Sequence, residues 1–423
     1  MNVTVSGNRL AGTVSAIASK SAVHRLAICA AYSDAPTVIE NVTTSQDIEA
    51  TVRCLQQAAA DIVWDNNRLI VTPHPKRKTM PCLDCGESGS TLRFLLPVMA
   101  ATGGGVFVGR GRLAKRPLSP LYELLADNGC RLSPAGIFPL TVTGNLQGDT
   151  FTIDGGVSSQ YISGLLMAAP LLKRRVRIEM TGTVESYPYI RLTIEALRCF
   201  GVTVREEENA FTVEGCYTSP STVRAEGDWS NSAFWLVGAA ISHSTDLAVT
   251  GLKNDSLQGD RRILNLLQQA GYIIGEQDKT ITIDGIGTKP LRIDAADIPD
   301  LVPIAAVLAA ALHGKTEIVN ARRLAYKESD RLQSVYRMLT ALGGTVTVTE
   351  DSLAIDGTGT LRGGTVDACN DHRIAMAAAV AALICEQEVT ILGAEAVNKS
   401  YPCFFEKFEQ KGMSVCRLFG ETV

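Results

Sequence analysis

The stretch "DHRIAMAAAVAAL", Asp371–Leu383, places three polar residues directly before an apolar segment of small side chains. Asp371, His372 and Arg373 are poorly suited to a hydrophobic core, whereas the alanine-rich segment behind them is suited to burial. The first turn of a helix carries unpaired backbone N–H groups and a partial positive charge, so it attracts phosphate or carboxylate groups. The stretch therefore predicts a buried helix whose polar first turn faces an anionic ligand.

Further segments along the chain have the same design, a polar start followed by an apolar helix of small residues. They are "KSAVHRLAICAA" from Lys20, "STLRFLLPVMAA" from Ser90, "SQYISGLLMAAPLL" from Ser159, "SNSAFWLVGAAI" from Ser230 and "DLVPIAAVLAAAL" from Asp300. The six starts lie 70, 69, 71, 70 and 71 residues apart. Because self-similarity at a fixed spacing is the signature of a repeated structural unit, the chain is predicted to be a sixfold repeat.

Each repeat also carries a second helix and several short strands. The second helices usually end at a glycine, which readily adopts the left-handed backbone found just after a helix. These glycines are Gly129, Gly201, Gly271, Gly343 and Gly412. Alternating or β-branched runs such as "RLIVT" and "TITIDG" predict the strands. Each unit is predicted as helix–strand–helix–strand–strand with one more strand leading in, so the fold class is α/β, built of α+β repeats.

The length of the chain predicts two domains. Its 423 residues exceed the roughly 250–300 at which a single hydrophobic core stops growing. Six units divide most simply into three plus three, and the midpoint coincides with "AEGDWSNSA", residues 225–233. We predict one discontinuous domain of residues 1–18 plus 227–423 and a second domain of residues 19–226. Both are expected to pack their small-residue helices inward, with an active site in the cleft between them.

Composition and charge exclude several classes of protein. The chain is 46% hydrophobic and 20% charged, which is typical of a soluble globular protein. A net charge of -4 argues against a nucleic-acid partner. No apolar run reaches the roughly 20 residues that span a bilayer. Cysteines number 11, and without a secretory signal at the start they predict free thiols and a cytoplasmic location. Neither a nucleic acid nor a membrane is expected as a partner.

The sequence predicts neither an organic cofactor nor a metal. Cys82 and Cys85 form a C-x-x-C pair, but no second pair follows at zinc-ribbon distance, so two ordinary buried thiols are expected. His74, His243 and His313 stand apart from one another, without the paired spacing of metal ligands. The glycine-rich stretches also lack the context of a nucleotide-binding loop.

Polar and charged residues recur at corresponding places in the repeats, at or near the starts of both helices. An acidic protein that binds anions must concentrate its cations locally, and arginine can donate two parallel hydrogen bonds to a phosphate or carboxylate. Near the first helices lie Lys20, Ser21, Arg25, Ser90, Arg93, Ser158, Ser159, Gln160, Asp300, Asp371, His372 and Arg373. Ahead of the second helices lie Lys115, Arg116, Ser186, Tyr189, Arg191, Lys327, Glu328, Asp330, Arg331 and Lys399. One such residue alone could be a helix cap or a solvated charge, and their recurrence indicates a shared site.

Seven motifs, in order along nearly the whole chain, resemble the 5-enolpyruvylshikimate-3-phosphate synthase family. They are "KS" at Lys20 with Arg25, "GESGSTLR" at Gly86–Arg93, "RPL" at Arg116–Leu118, "SSQ" at Ser158–Gln160, "IPD" at Ile298–Asp300, "KESDR" at Lys327–Arg331 and "NDHR" at Asn370–Arg373. The resemblance implies the transfer of the enolpyruvyl group of phosphoenolpyruvate to the 5-hydroxyl of shikimate 3-phosphate in aromatic amino acid biosynthesis. Phosphate is released through a tetrahedral addition–elimination intermediate.

The resemblance also implies the fold and the role of each matching residue. It implies two similar domains, each of three βαβαββ units around inward-facing helices, in a monomer without cofactor or metal. Phosphoenolpyruvate would bind to Lys20, Gly89, Arg116, Gln160, Arg331, Arg373 and Lys399. Shikimate 3-phosphate would bind to Ser21, Arg25, Ser158, Ser159, Gln160, Ser186, Tyr189, Asp300 and Lys327. The catalytic residues would be Lys20, Asp300, Glu328 and His372, with Asp300 as base to the 5-hydroxyl and Glu328 as acid to the methylene.

Four residues depart from the commonest pattern of the family, namely Glu87, Ser88, Ser90 and Arg323. They put individual substrate contacts in doubt but not the reaction. Gly89 is retained, and in this family bulk at that glycine obstructs the herbicide glyphosate more than phosphoenolpyruvate. The resemblance therefore implies sensitivity to glyphosate.

Two other functions remain open at this stage. The related enolpyruvyl transferase that acts on UDP-N-acetylglucosamine has an asparagine after its first lysine and a catalytic cysteine in a loop of the second unit. Here Ser21 follows Lys20, and "GRGRLAKRP", residues 109–117, contains no cysteine. A non-catalytic repeat scaffold is the second alternative, but it gives no reason for carboxylates among arginines at helix starts.

Overall fold

The computed structural model describes residues 1–74 and 79–418. Within them the chain forms twelve α-helices, which are Lys20–Ala31 (α1), Gln46–Ala58 (α2), Gly89–Ala101 (α3), Leu121–Asp127 (α4), Ser159–Ala168 (α5), Tyr187–Cys199 (α6), Trp229–Ile241 (α7), Ile263–Ala270 (α8), Val302–Ala311 (α9), Arg331–Ala341 (α10), His372–Ala381 (α11) and Phe404–Gln410 (α12). The odd-numbered helices are the six apolar helices of the predicted repeat, and the even-numbered ones are the second helices.

The strands follow the helices in a regular order. In chain order they are Asn2–Ser6 (β1), Gly12–Ser15 (β2), Thr37–Glu40 (β3), Ala60–Asp65 (β4), Arg68–Pro73 (β5), Cys82–Asp84 (β6), Gly105–Val108 (β7), Cys130–Leu132 (β8), Leu140–Gly144 (β9), Thr150–Asp154 (β10), Val176–Thr181 (β11), Thr203–Glu207 (β12), Ala210–Glu214 (β13), Thr222–Arg224 (β14), Leu247–Thr250 (β15), Ile273–Gln277 (β16), Thr280–Asp284 (β17), Arg292–Asp294 (β18), His313–Val319 (β19), Thr345–Val348 (β20), Leu353–Thr358 (β21), Gly364–Asp367 (β22), Val389–Leu392 (β23) and Ser414–Leu418 (β24).

These strands form six four-stranded sheets that share one topology. In one of these sheets β18, which precedes α9, pairs in parallel with β19, which follows it. β19 then pairs antiparallel with β21, and β21 pairs antiparallel with β20. The other sheets have the orders β14-β3-β5-β4, β6-β7-β9-β8, β10-β11-β13-β12, β2-β15-β17-β16 and β22-β23-β1-β24. The sixfold repeat of the sequence is therefore present as six βαβαββ modules.

Polar side chains start five of the six apolar helices. Ser19, Ser88, Ser158, Asp228 and Asp371 are the N-caps of α1, α3, α5, α7 and α11, and each accepts a hydrogen bond from a backbone N–H of the first turn. No side chain caps α9, which has a proline in its first turn. That helix begins at Val302, so the polar residue of its motif lies ahead of it.

Glycine ends the second helices as the sequence predicts. All five predicted glycines have positive φ angles, from 75° at Gly201 to 115° at Gly412. Gly271 is the C-cap of α8, with φ at 111° and its N–H directed to carbonyl groups of the last turn. A residue with a β-carbon is strained in this conformation, which explains the choice of glycine.

The chain divides into two compact units. The central unit is Ala18–Glu226, and the terminal unit combines Met1–Ile17 with Gly227–Val423. In the central unit β14 pairs with β3, so the last strand of the unit completes its first sheet. In the terminal unit β2 pairs with β15, and β1 lies between β23 and β24. The N-terminal strands are thus required by sheets formed from the C-terminal part of the chain.

Each unit has its own hydrophobic core. In the terminal unit α7, α9 and α11 pack against one another, and every residue of α7 and α11 is buried. In the central unit α3 packs against α5 at Gly164, where an added β-carbon would lie 2.6 Å from the carbonyl oxygen of Arg93. No helix in residues 1–74 and 79–418 is long and apolar enough to cross a lipid bilayer.

Candidate active site

The starts of α10 and α11, with the segment before α9, bring together a group of charged residues in the terminal unit. We call it the terminal cluster, and its members are Asp300, Lys327, Glu328, Arg331, Asp371, Arg373 and Lys399. "KESDR" precedes and opens α10, "NDHR" precedes and opens α11, and "IPD" ends two residues before α9. The three motifs that the sequence singled out in this unit are therefore neighbours in space.

Arg331 is at the centre of the terminal cluster. Its guanidinium is fully buried, and it donates hydrogen bonds to three carboxylates. The donor–acceptor distances are 2.8 Å to Asp300 Oδ1, 2.5 Å to Glu328 Oε2 and 3.0 Å to Asp371 Oδ2. Burial alone would lower the pKa of Arg331, but the three carboxylates raise it above its ordinary value. Arg331 thus stays charged and fixes the positions of both predicted acid–base groups.

Asp300 is surrounded by cations. Arg331 and Lys327 donate to Oδ1, and the Arg373 guanidinium lies 3.3 Å from Oδ2. Burial by itself would raise the pKa of the Asp300 carboxyl, but Arg373, Lys327 and Arg331 together hold it well below its ordinary value. Burial also lowers the pKa of Lys327, and the Asp300 charge partly opposes that effect. Asp300 is therefore an ionised carboxylate whose cations could also bind an anionic substrate.

The first turn of α11 is polar, and its residues are buried like the rest of the helix. Asp371 caps the helix through the Arg373 N–H at 2.9 Å, and it also accepts from the Ser329 hydroxyl at 3.0 Å. Arg373 reaches back to the Asp300 carbonyl oxygen at 3.2 Å. His372 Nδ1 lies 4.0 Å from Asp371 Oδ1. Asp371 and Arg373 are therefore accommodated by hydrogen bonds and charge pairing rather than by exposure to solvent.

Lys399 joins this cluster from a later segment. It ends the 3-10 helix Ala394–Lys399, is 6% exposed, and donates through Nζ to the Asn370 carbonyl oxygen at 2.7 Å. The contact places its ammonium beside the start of α11. One hydrogen bond thus brings Lys399 to a helix start that lies 29 residues earlier in the sequence.

Lys20, the first residue of α1, belongs to the central unit. Its ammonium lies 2.6 Å from Asp47 Oδ2, with side-chain exposures of 15% and 13%. Asp47 is in the first turn of α2. The predicted catalytic lysine therefore already has a carboxylate partner. A substrate anion that binds Lys20 would have to share the ammonium group with Asp47.

A second group in the central unit lies at the starts of α3 and α5. Gln160 accepts from Arg93 NH1 at 2.9 Å and donates to Ser90 Oγ at 2.9 Å. At Gly89 an added β-carbon would lie 2.5 Å from Arg116 NH1, so the glycine lets the guanidinium approach the backbone. Gly89, Arg116 and Gln160, three of the predicted phosphoenolpyruvate ligands, are thus held on one part of the unit.

Arg25 is enclosed by protein groups of the central unit. Its guanidinium donates to the Ser21 carbonyl at 2.6 Å, the Tyr189 carbonyl at 2.9 Å and the Thr193 hydroxyl at 2.7 Å. Burial lowers the pKa of Arg25 to about 10, so it remains a cation at neutral pH. Arg25 thus links Ser21 in α1 to Tyr189 in α6, and all three are predicted to bind shikimate 3-phosphate.

The remaining predicted residues also lie at helix starts of the central unit. Ser158 caps α5, and Ser159 is the first residue of that helix and is buried. Ser186 precedes α6, is 4% exposed and has a left-handed backbone with φ at 55°. This conformation is uncommon for a residue with a β-carbon and is found most often at functional or tightly constrained positions.

The sequence predictions missed one carboxylate, Asp47, which pairs with Lys20. They placed Asp371 at a helix start of the site but did not predict its pairing with Arg331. Both lie in the first turn or cap of a helix, where an acidic residue is ordinarily explained by the helix dipole. No local pattern distinguishes a cap from an ion-pair partner that is far away in sequence.

The described residues contain neither a cluster of metal ligands nor a disulfide. In residues 1–74 and 79–418, no group of three or more His, Cys, Asp or Glu side chains is arranged to hold a metal ion. All the cysteines are free thiols. Cys85 is buried but Cys82 is exposed, so the prediction of two buried thiols is correct only for Cys85.

Comparisons with known proteins agree with each other. The sequence model of a family described as EPSP synthase (3-phosphoshikimate 1-carboxyvinyltransferase) matches residues 5–408. The 3-phosphoshikimate 1-carboxyvinyltransferase of Clostridium kluyveri is 40% identical over 415 residues, which cover 97% of each chain. That of Clostridium acetobutylicum is 39% identical over 415 residues and 96% of each chain.

Solved structures have the same fold. An EPSP synthase from Acinetobacter baumannii superimposes with a TM-score of 0.79 at 25% identity, covering 98% of this chain and 100% of that one. The enolpyruvyl transferase NikO from Streptomyces tendae superimposes with a TM-score of 0.78 at 18% identity over 98% of each chain. The second likeness concerns the fold alone.

Proposed function

Because the chain belongs to the EPSP synthase family, as its seven motifs predicted, we propose a division of roles in its reaction, the transfer of the enolpyruvyl group of phosphoenolpyruvate to shikimate 3-phosphate. The terminal cluster supplies the acid–base groups, and both units supply binding groups for the two substrates. The observation that carries this proposal is Asp300 and Glu328 held on a single buried cation, Arg331.

Asp300 is proposed as the base that takes the proton of the attacking 5-hydroxyl. In the structure its neighbouring cations favour the ionised form, which makes it ready to accept a proton but also a weak base. When substrate phosphate and carboxylate groups bind to Arg373 and Lys327, they offset part of that positive charge. The pKa of Asp300 then rises, and its strength as a base rises with it.

Glu328 is proposed as the acid that protonates the methylene carbon of phosphoenolpyruvate, with Lys20 assisting. The contact with Arg331 favours ionised Glu328. A substrate anion that competes for Arg331 relieves this effect and favours the protonated carboxyl. The charge that the substrates bring therefore strengthens Asp300 as a base and favours the protonated form of Glu328. His372 is proposed as a further catalytic residue beside the Asp371 cap.

The binding roles follow the charges of the two substrates. We propose Lys20, Gly89, Arg116, Gln160, Arg331, Arg373 and Lys399 for phosphoenolpyruvate, and Ser21, Arg25, Ser158, Ser159, Gln160, Ser186, Tyr189, Asp300 and Lys327 for shikimate 3-phosphate. The contacts of Gln160 with Ser90 and Arg93 support its place, because they orient both ends of its amide. We further propose a monomer in the cytoplasm, a location supported by the free thiols.

Substitutions of the two carboxylates test these roles. With purified Asp300→Asn and Glu328→Gln proteins, turnover of shikimate 3-phosphate and phosphoenolpyruvate is measured by phosphate release. We expect each turnover number to fall by about 10²–10⁴-fold, the usual contribution of a general acid or base. Asp294→Asn, at the end of β18, is the control and should keep wild-type turnover.

Near-wild-type turnover by Asp300→Asn, with unchanged substrate binding, would show that the base is another group. The same assay with UDP-N-acetylglucosamine as acceptor separates this enzyme from the related transferase. Phosphate release with that acceptor and none with shikimate 3-phosphate would contradict the proposed substrate.

A further inference from the structure

A chain of buried hydrogen bonds connects α1, α2 and α3 in the central unit. His24 Nδ1 lies 2.7 Å from Thr51 Oγ1, and Thr51 Oγ1 lies 2.7 Å from Thr91 Oγ1. Thr91 Oγ1 in turn donates to Ser88 Oγ at 2.7 Å. Each of the four residues is at most 1% exposed. None of these four residues has a binding or catalytic role in the function proposed above. However, the last one, Ser88, is the N-cap of α3.

His24 is neutral in this environment. Burial, with smaller contributions from the charges of Lys20 and Arg25, lowers the pKa of the His24 imidazole well below its ordinary value. A neutral imidazole carries one hydrogen, on either Nδ1 or Nε2. Nε2 is buried, and it has no hydrogen-bond partner among the residues that the structure describes.

The hydrogens available to the chain determine its direction. Each threonine hydroxyl donates only one hydrogen. Thr91 gives its hydrogen to Ser88, so the hydrogen between the two threonines must come from Thr51. Thr51 then has none left for the imidazole, and His24 must donate from Nδ1. The structure therefore requires the Nδ1–H tautomer of His24 and a chain of donors that all point towards Ser88.

The hydrogen-bond chain ends beside residues that are predicted to bind phosphoenolpyruvate. Ser88 also accepts from the Thr91 N–H at 3.3 Å, as the N-cap of α3. The next residue is Gly89, whose backbone the Arg116 guanidinium approaches so closely that an added β-carbon would lie 2.5 Å from NH1. Ser90 follows and accepts a hydrogen bond from Gln160 at 2.9 Å. Any movement of the α3 start therefore changes its spacing to both Arg116 and Gln160.

We propose that the His24–Thr51–Thr91–Ser88 chain positions the start of α3 and thereby sets the geometry of the phosphoenolpyruvate site. The four residues are positioning residues, and they do not contact the substrate. The inference rests on the proposed binding of phosphoenolpyruvate by Arg116 and Gln160. It goes further by assigning a role to His24 and Thr51, interior residues that no helix-start pattern selects.

Removal of one hydroxyl from the chain tests this proposal. Thr91→Val keeps the size and shape of the side chain but cannot hold Ser88 or accept from Thr51. We expect KM for phosphoenolpyruvate to rise about fivefold, the effect of one lost hydrogen bond. KM for shikimate 3-phosphate should change by a clearly smaller factor, because that substrate shares Gln160 with phosphoenolpyruvate but not Gly89 or Arg116.

Two control variants separate positioning from general loss of stability. Thr91→Ser restores the hydroxyl and should restore the wild-type KM for phosphoenolpyruvate. Thr37→Val removes a buried hydroxyl in the same unit, bonded to Ser219 Oγ at 2.7 Å, and should leave both KM values unchanged. If Thr91→Val does not fold, Thr51→Val interrupts the same chain one residue earlier. Equal changes in both KM values, or no difference from Thr37→Val, would overturn the proposal.

The tautomer of His24 provides an independent test. The protein contains 5 histidines, so ¹⁵N-histidine labelling gives a simple long-range ¹H–¹⁵N spectrum, assigned with His24→Asn. We expect the Nδ1–H pattern in the wild type and a shifted Nδ1 signal in Thr51→Val. An Nε2–H tautomer in the wild type would contradict the direction of the chain. If the wild type does not turn over phosphoenolpyruvate, the proposed function itself is wrong; wild-type turnover with an unaffected Thr91→Val refutes only the positioning role.

Discussion

Arg331 binds three carboxylates, and two of them, Asp300 and Asp371, have further partners of their own. Asp300 also contacts Lys327 and Arg373, and Asp371 also caps α11. Buried charges are stable only where pairing and hydrogen bonds compensate for lost hydration. A substrate anion bound at the proposed site would therefore exchange with a carboxylate for the same cation. In our proposal this exchange links binding to the protonation of Asp300 and Glu328.

The lowered pKa of Asp300 predicts how the stability of the terminal unit depends on pH. A carboxyl whose pKa is lowered by folding stabilises the folded state above its ordinary pKa of 3.8, and this contribution is lost as the pH falls towards the lower folded value. Asp300→Asn resembles the protonated form. Its free energy of unfolding should therefore be below wild type at neutral pH and approach wild type below pH 3.8.

Urea unfolding of both proteins at a series of pH values measures this difference. Asp294→Asn serves again as the control, and its difference from wild type should not follow the same course. A difference between Asp300→Asn and wild type that does not diminish on acidification would show that Asp300 gains no stability from ionisation.

At the scale of helices, the close contact between α3 and α5 is a constraint on the central unit. Gly164 lies where an added β-carbon would be 2.6 Å from the Arg93 carbonyl oxygen and 2.7 Å from Pro97 Cγ. Gly164→Ala should force the helices apart and lower the free energy of unfolding by about 1–3 kcal/mol, the usual cost of overpacking. Gln160 and Arg93 lie on the same two helices, so activity should fall as well.

Gly156→Ala is the matched control for that substitution. Its nearest neighbour would be the Asp154 carboxylate at 3.2 Å, which can move, and its φ is not in the left-handed region. Its midpoint in urea should stay close to that of the wild type. Equal stability of the Gly164→Ala and Gly156→Ala proteins would contradict the tight α3–α5 contact.

The helices were the most predictable elements of the fold. Their starts follow from serine and aspartate caps, and their ends follow from glycines that adopt positive φ. These are local effects, decided by groups within a few residues. The start of α9 differed, because the helix begins at Val302 without a side-chain cap. Asp300 is thereby left outside the helix and available to the cations of α10 and α11.

For the whole molecule, the closure of each unit on itself makes a prediction about folding. All strands of three sheets and one complete core lie within residues 18–226. A fragment of residues 18–226 should therefore fold cooperatively by itself, with circular dichroism of a mixed α/β protein and one urea transition.

The strand β14 decides whether this fragment is complete. A shorter fragment, residues 18–220, lacks Thr222–Arg224 and leaves β3 without its parallel partner. It should be less stable than the longer fragment. An equally stable shorter fragment would show that β14 does not contribute to the fold of the central unit.

The sequence alone determined the sixfold period, most of the helix starts and stops, and the motifs that identify the family. All of these are encoded by residues close together in the chain, or by their repetition. Only the tertiary structure decided which charges meet. It placed Asp300, Glu328 and Asp371 on Arg331, Asp47 on Lys20, and His24 behind the cap of α3. The direct pairs join residues up to 40 positions apart. Partner choice over such distances depends on how the helices pack, which no local pattern records.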